Sequence, residues 1–373
     1  MNLFPKTAPW VVVSLIAASS AFGEDNQCCP SGPFYEQGHE LVCTQLPAAY
    51  NAPARIQVDR CYDVYAEGSF IYWQPKQENM ELGIADTIAQ ADTDVSGIQG
   101  NLINENFQYK PGFKVGVGMN FDYDGWDGYA EYTWLHGKNS TDAHAPTTAL
   151  GNILPLWGSP LNEAASYTSV VGTWRFKFDF LDAELARSYY VGRKLSLRPY
   201  FGLRGAWIRQ KHTAVYAEPP ATVPPDVGLV REWTTINQSV SWGIGPRAGV
   251  GANWLFRSGF RVYGDAAVDM LYTRYNLSER EHDTFAPLWN QDITQSHIDY
   301  LRTHLDFELG LGWGSYFHCN RWHVDLSAGY GFQAFFDQNM FRHYNTFLPG
   351  SYSRNPNGNL YIQGLTAMMR FDY

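Results

Sequence analysis

Charge is scarce in this chain. Asp, Glu, Lys and Arg make up 17% of its 373 residues, against about 25% in typical soluble domains. Lys and Arg form no run, and the net charge is −10. Binding to nucleic acid usually shows as a basic patch, so nucleic acid is not expected as a partner. Long apolar runs are missing too. Beyond Gly23 no window reaches the roughly 18 uninterrupted apolar residues of a membrane helix, and mean hydropathy is −0.32. Signatures of catalysis are also lacking. Neither G-x-S-x-G nor H-E-x-x-H occurs. The glycine-rich pieces at Gly116 and Gly243 do not have the spacing of a dinucleotide loop. No cofactor and no metal is implied.

The first residues read as an export signal. Lys6 supplies the positive end, Trp10 to Phe22 the apolar stretch, and Ala21 and Gly23 the small residues before cleavage. This divides the chain into a signal peptide (1–23), a Cys-containing extension rich in Pro, Gly and polar residues (24–61), and a main domain (62–373). The residues before Cys28 are Asp25, Asn26 and Gln27. They give no reason to expect a lipid anchor.

What the chain has in abundance is aromatics, at 16%, with 13 Trp, and 34 Gly. They fall in segments of period two, the strand period. Phe113, Val115, Val117, Met119 and Phe121 share one face, while Lys114, Gly116, Gly118 and Asn120 share the other. The stretches from Leu195, Ser241 and Leu301 alternate in the same way. These runs hold a dozen residues or more, whereas soluble strands average about 5–6. Trp73, Trp126, Trp134, Trp207, Trp254, Trp313 and Trp322 recur near strand ends, as interfacial girdles require. Together these features predict an all-β, up-and-down transmembrane barrel with an N-terminal signal peptide.

Ten strands are expected, at 62–75, 107–122, 126–136, 166–190, 195–212, 236–256, 260–275, 300–317, 322–336 and 357–373. Short turns at Asp124–Gly125, Gly192–Lys194, Arg257–Gly259 and around Cys319 alternate with long connections at 76–106, 137–165, 213–235, 276–299 and 337–356. Barrels of the outer membrane have short periplasmic turns and long external loops, so both termini are expected in the periplasm. One segment breaks the alternation. From Trp174 to Phe180 the apolar residues take even positions; Leu181, Ala183 and Leu185 then take odd ones. This predicts a β-bulge near Phe180 to Asp182. An inserted hairpin there would raise the count towards twelve.

Charges on the polar face belong inside, because Arg or Lys facing mid-membrane lipid costs about 2–4 kcal/mol. The expected lumen-facing, pore-lining set is Lys114, Arg175, Lys177, Arg198, Arg204, Arg247, Arg261, Asp265, Asp269, Arg302, His304, Asp306, Glu308 and Asp325. Such rings set solute and ion selectivity. In a ten-stranded barrel opposite charges could instead pair and fill the lumen. The spacing of His304, Asp306 and Glu308, echoed by His323 and Asp325, would suit acid–base work, but no nucleophile motif accompanies it, and no enzymatic role is expected.

Five cysteines remain: Cys28, Cys29, Cys43, Cys61 and Cys319. All fall on the expected periplasmic side, where disulfides form. An odd set leaves at least one free or bonded to another molecule, so cross-links to other envelope proteins are open. The chain closes on "GLTAMMRFDY". Leu365, Ala367, Met369, Phe371 and Tyr373 would face lipid there, and Thr366, Met368, Arg370 and Asp372 the lumen.

The stretches "DVYAEGSFIYWQPKQENMELG" and "DFLDAELARSYYVGRKLSLRPYFGLRGAWIRQK", with this closing alternation, resemble the legionella-type major outer membrane protein family, which also occurs in chlamydia-like bacteria. The resemblance runs from Tyr62 to Tyr373 and is most specific from Asp179 to Lys211. It implies a pore-forming outer-membrane barrel with a porin role and, for the chlamydia-like branch, a cysteine-cross-linked envelope; it supplies no catalytic residues. The terminal aromatics Phe371 and Tyr373 resemble the signal read by the barrel assembly machinery, although that signal usually ends in Phe.

The expected function is a weakly selective porin for small hydrophilic solutes and ions, with a structural part in the envelope. One alternative is a filled structural or adhesin barrel binding partners through its external loops; another is a barrel hydrolase. Expected partners are outer-membrane lipid, the assembly machinery and other envelope proteins, with a homo-oligomer left open.

Overall fold

The alternating segments run as long antiparallel strands, and ten of them carry the fold. They are β1 (Asp63–Gln77), β2 (Lys110–Asn120), β3 (Trp126–His144), β4 (Ser169–Arg187), β5 (Leu195–Ala217), β6 (Glu232–Leu255), β7 (Phe260–Asp283), β8 (Gln291–Phe317), β9 (Trp322–Asn339) and β10 (Gly358–Asp372). The computed structural model describes residues 54–56, 58, 63–86, 100–121, 125–146, 152–158, 167–220, 228–284, 290–318, 320–345, 352–354 and 357–373, all within the unit Gln45–Tyr373. Each strand pairs with its chain neighbours, and β10 returns to β1 from Tyr65↔Asp372 to Gln77↔Leu360. The sheet is a closed ring with no free edge, the all-β antiparallel barrel of ten strands that the alternation predicts. Tyr373 completes the closure by exchanging backbone hydrogen bonds with Val64 at 2.8 and 3.2 Å.

Long and short connections alternate around the ring as expected. The short ones end on residues that tolerate left-handed backbone, such as Gly125 at φ 70° and Gly259 at φ 83°. Two long connections contribute a small three-stranded sheet of Gly83–Asp86, Gly100–Ile103 and Asn152–Pro155. Among the described residues no helix is long and apolar enough to cross a membrane, which says nothing against crossing by strands.

Two expectations about the strands are corrected. Several strands run well past their apolar alternation. β3 continues to His144 rather than 136, β7 to Asp283 rather than 275, and β8 begins at Gln291 rather than 300. The connection expected at 276–299 therefore shrinks to the residues between β7 and β8. The bulge expected near Phe180 is absent as well. β4 keeps an unbroken register with β3 and β5, from Ser169↔Ala217 to Ala186↔Tyr200.

Both corrections have one cause: the barrel changes polarity along its axis. In the half nearer the short turns, β4 turns Leu181, Ala183 and Leu185 outward and Asp182 and Glu184 inward. In the other half Trp174, Phe176, Phe178 and Phe180 are buried inside, while Arg175 and Lys177 are exposed outside. The side-chain phase never changes; the apolar side does. β5 repeats this, with Phe201, Leu203 and Trp207 outward, then Arg209 and Lys211 outward above Ala206, Ile208 and Tyr216 inward. Only the short-turn half has an exterior suited to lipid. Its limits are aromatic. Trp134 and Trp207 share a row with Trp242 through Asp179, and Trp254 and Trp322 lie near the opposite rim. Trp242 and Trp254 on β6 are about 28 Å apart in height at ordinary strand rise and tilt, close to the apolar band of outer-membrane barrels. Beyond the aromatic row the strands continue past the apolar band.

Candidate functional site

The lumen is the feature that the sequence reading marks as functional, and it has two storeys. The lower one is charged. Arg204 on β5 grips Asp182 on β4 with two hydrogen bonds of 2.6 Å, and its other amino group donates to Asp269 on β7 at 3.1 Å. Arg247 on β6 donates to Asp269 at 3.1 Å, to Asp306 on β8 at 3.2 Å and to Glu184 at 3.4 Å. His304 pairs with Asp269 and is 0% exposed; Arg204 is 3% exposed. Arg198 reaches Asp127 at 3.1 Å and Glu184 at 3.3 Å. Lys114 pairs with Glu131 at 3.0 Å. Near the short-turn rim Arg261 pairs with Asp325, and Arg370 bridges Asp372 at 2.6 Å and Glu67 at 3.4 Å.

Inward glycines shape this storey. A Cβ on Gly118 would fall 2.1 Å from the Tyr65 ring, and one on Gly312 would fall 2.6 Å from the Arg261 guanidinium. The glycine face is thus a row of sockets on which long side chains lie flat. Asp265 and Glu308 are held likewise, accepting from Tyr200 at 2.7 Å and Tyr263 at 2.6 Å.

The upper storey is mixed: a large apolar cluster packs beside buried polar side chains such as Gln210, His212, Asn237 and Glu279. The inward faces of β4, β5, β6, β9 and β10 meet residues from the long connections. Trp157 packs edge-on against Phe341, with ring centres 6.0 Å apart, and its indole donates to the Glu81 carbonyl at 2.7 Å. Tyr216 donates to the Leu82 carbonyl. Trp174, Phe176, Phe178 and Phe180 form a ladder down β4, and Phe180 stacks on Phe335 of β9 at 5.3 Å. β4 and β9 are five places apart in a ring of ten. Their side chains therefore touch across the full width of the barrel.

Most of the sequence-predicted lumen set lies inside. Lys114, Arg198, Arg204, Arg247, Arg261, Asp265, Asp269, His304, Asp306, Glu308 and Asp325 point into the lower storey. Arg302 lies in the upper storey, donating to the Tyr275 hydroxyl at 3.3 Å. Arg175 and Lys177 are corrected: they stand on the outer face, beyond the apolar band. Trp73 is corrected in the other direction. It is 2% exposed and faces inward, donating to Thr366 at 3.2 Å, so it belongs to no girdle. Sequence reasoning missed Asp127, Glu131, Asp182 and Glu184, the carboxylates that Arg198, Lys114, Arg204 and Arg247 engage. Keeping the phase of β4 constant would have placed the last two. Cys28, Cys29, Cys43, Cys61 and Cys319, with the expected signal peptide, lie outside the described residues. Among the described residues no cluster of three His, Cys, Asp or Glu could hold a metal.

Comparison with known proteins adds the lineage. No curated protein matches the chain. Among solved structures it is similar to the outer membrane protease OmpT from Escherichia coli, at 9% identity, covering 83% of this chain and 96% of that one with a TM-score of 0.36. It is also similar to a major outer membrane protein from Thermus thermophilus, at 10% identity, 83% and 99% coverage and a TM-score of 0.28. A FadL homologue from Pseudomonas aeruginosa matches at 8% identity, 84% and 90% coverage and a TM-score of 0.25. Likeness at these levels carries no argument about activity. The family profile described as Legionella pneumophila major outer membrane protein precursor matches residues 59–373. A closed ten-stranded barrel with a lipid-suited lower exterior, matched over nearly all of its length, belongs to the Legionella major outer membrane protein family of outer-membrane β-barrels.

Proposed function

We propose that this chain is a closed, surface-exposed barrel of the outer membrane that serves the envelope structurally and meets partners through its long connections. The short turns then lie in the periplasm and the long connections outside. The contact of Phe180 with Phe335 across the lumen carries this reading. Below it, ion pairs join side chains from strands two and three places apart, Arg247 to Asp306 and Arg204 to His304, and narrow the lumen. His304 and Asp269 are buried among Arg204 and Arg247 rather than facing an open cleft, which fits a non-enzymatic role.

The expected porin is the second reading, and one observation favours it. The lower storey is partly wet: Arg198, Lys114 and Asp306 side chains keep 26%, 16% and 15% of their exposure. Part of the plug above comes from connections, through Leu82, Trp157 and Phe341. Displacing those connections would open a charged chamber. Planar-bilayer recording separates the two readings. The closed barrel gives no conductance steps when correctly folded, and replacing Phe180, Trp157 and Phe341 by Ala introduces them. Regular steps from the unaltered chain would establish the porin instead.

A further inference from the structure

We propose that the outer face of β3, β4 and β5, just above the aromatic row, binds the phosphorylated headgroup of a glycolipid in the outer leaflet. Lys138, Arg175 and Lys211 stand directly across from one another on the three strands. Two residues lower, His136, Lys177 and Arg209 do the same. Neighbouring strands lie about 4.8 Å apart and same-face residues about 6.7 Å apart. Five permanent cations and a histidine thus share a patch of roughly 10 by 7 Å. Like charges directly opposite one another destabilise a sheet. Their placement makes sense where a ligand of opposite sign covers them.

The surroundings sharpen this. Among the described residues, the carboxylate nearest the patch is Asp179, already engaged by His136 at 3.0 Å and by the Tyr132 hydroxyl at 2.7 Å. Asp142 stands higher on β3, beside His144 at 3.7 Å. Further round the barrel, on β7 and β8, the exterior cations are neutralised in place: Arg274 faces Asp299 at 2.7 Å, and Arg280 faces Asp292 at 3.1 Å. The β3–β5 sector instead sets cation against cation. It does so one row above Trp134 and Trp207, which places the charges at headgroup depth. Arg and Lys there can grip phosphate oxygens while the Trp rings face the sugar and acyl boundary. A soluble anion would have no use for the aromatic row beneath.

The inference rests on the proposed orientation, with the long connections outside. The test is heat unfolding of the full chain in phosphatidylcholine vesicles, with and without lipopolysaccharide. Lipopolysaccharide is expected to raise the unfolding temperature of the natural chain by about 5 °C and to leave an R175E/K177E/R209E variant unmoved. Arg280→Gln, on β7 outside the patch, should keep the full gain. If reversal of three charges prevents folding, the milder R175Q/K177Q pair is used, and at least half of the gain should vanish. An undiminished gain in either variant overturns the proposal. So does an equal gain from dephosphorylated glycolipid, or from inorganic phosphate without glycolipid. Orientation is read separately in cells: Gly228→Cys should take an impermeant thiol label above the natural level. A failure there overturns the orientation and not the anion chemistry.

Discussion

At the scale of single residues, the lumen shows how a membrane barrel carries charge without exposing it. Arg204 would be costly alone at 3% exposure, but Asp182 and Asp269 accept from both ends of its guanidinium. Glu105, in the connection before β2, has no such cation among the described residues. It is 5% exposed, and burial pushes its carboxyl up to about 7, with the Thr141 hydroxyl and the Trp174 backbone opposing. The folded chain therefore holds this proton more tightly than the unfolded chain, whose value is 4.5. Below 4.5 both states are protonated and the group is neutral for stability. As pH rises from 4.5 to about 7, the unfolded chain ionises first and stability falls; above 7 the loss is complete, at about 3 kcal/mol at most. Glu105→Gln should raise the unfolding temperature at about pH 8 and leave it unchanged at about pH 4. An equal effect at both values would assign the change to packing.

At the scale of the strand, the apolar side switches from outside to inside while the register holds. A charge on the outer face should then cost according to its height. Leu305, exposed on the outer face of β8, lies among Leu301, Phe307 and Leu309 in the lipid-suited half. Leu305→Arg should destabilise by about 2–4 kcal/mol and reduce the folded fraction on unheated gels. Thr213→Arg, on the outer face of β5 above Lys211, should be silent within about 0.5 kcal/mol. Similar losses at both sites would refute the inferred lipid boundary. The strand pattern was legible in the sequence because alternation is local: the faces of β2, β6, β8 and β10 follow from residue parity alone. What parity lacks is the identity of the inside. Reading apolar as outward throughout sent Arg175 and Lys177 into the lumen and invented a bulge at Phe180. Only the cross-barrel partner Phe335, more than 150 residues away in sequence, makes an apolar interior favourable there.

At the scale of the whole molecule, closure depends on β10 meeting β1. Deleting Tyr373 removes both of its hydrogen bonds with Val64 and its ring contact with Trp322 at 5.9 Å. The variant should reach the membrane in smaller amounts, as measured by folded protein in outer-membrane fractions; undiminished insertion would show that this seam is dispensable. The number of strands and the order of turns were readable because each strand pairs with its chain neighbours. The filling of the lumen was not. Lumen width follows from strand number, but occupancy depends on which side chains from opposite walls and from distant connections arrive at the same height, as Trp157 and Phe341 do.

The reversal of polarity also gives the barrel a waterline. An ordinary membrane strand with an apolar exterior along its full length could ride higher or lower at little cost. Here a sinking of four residues would carry Lys177 and Arg209 below the aromatic row into hydrocarbon and bring Arg175 and Lys211 level with it, and an equal rise would lift Trp207 and Trp242 into water. The draught of the molecule is thus fixed by its own wall. A bilayer of a different thickness must thin or thicken around it, and the long connections are carried at a set height above the lipid whichever membrane receives it.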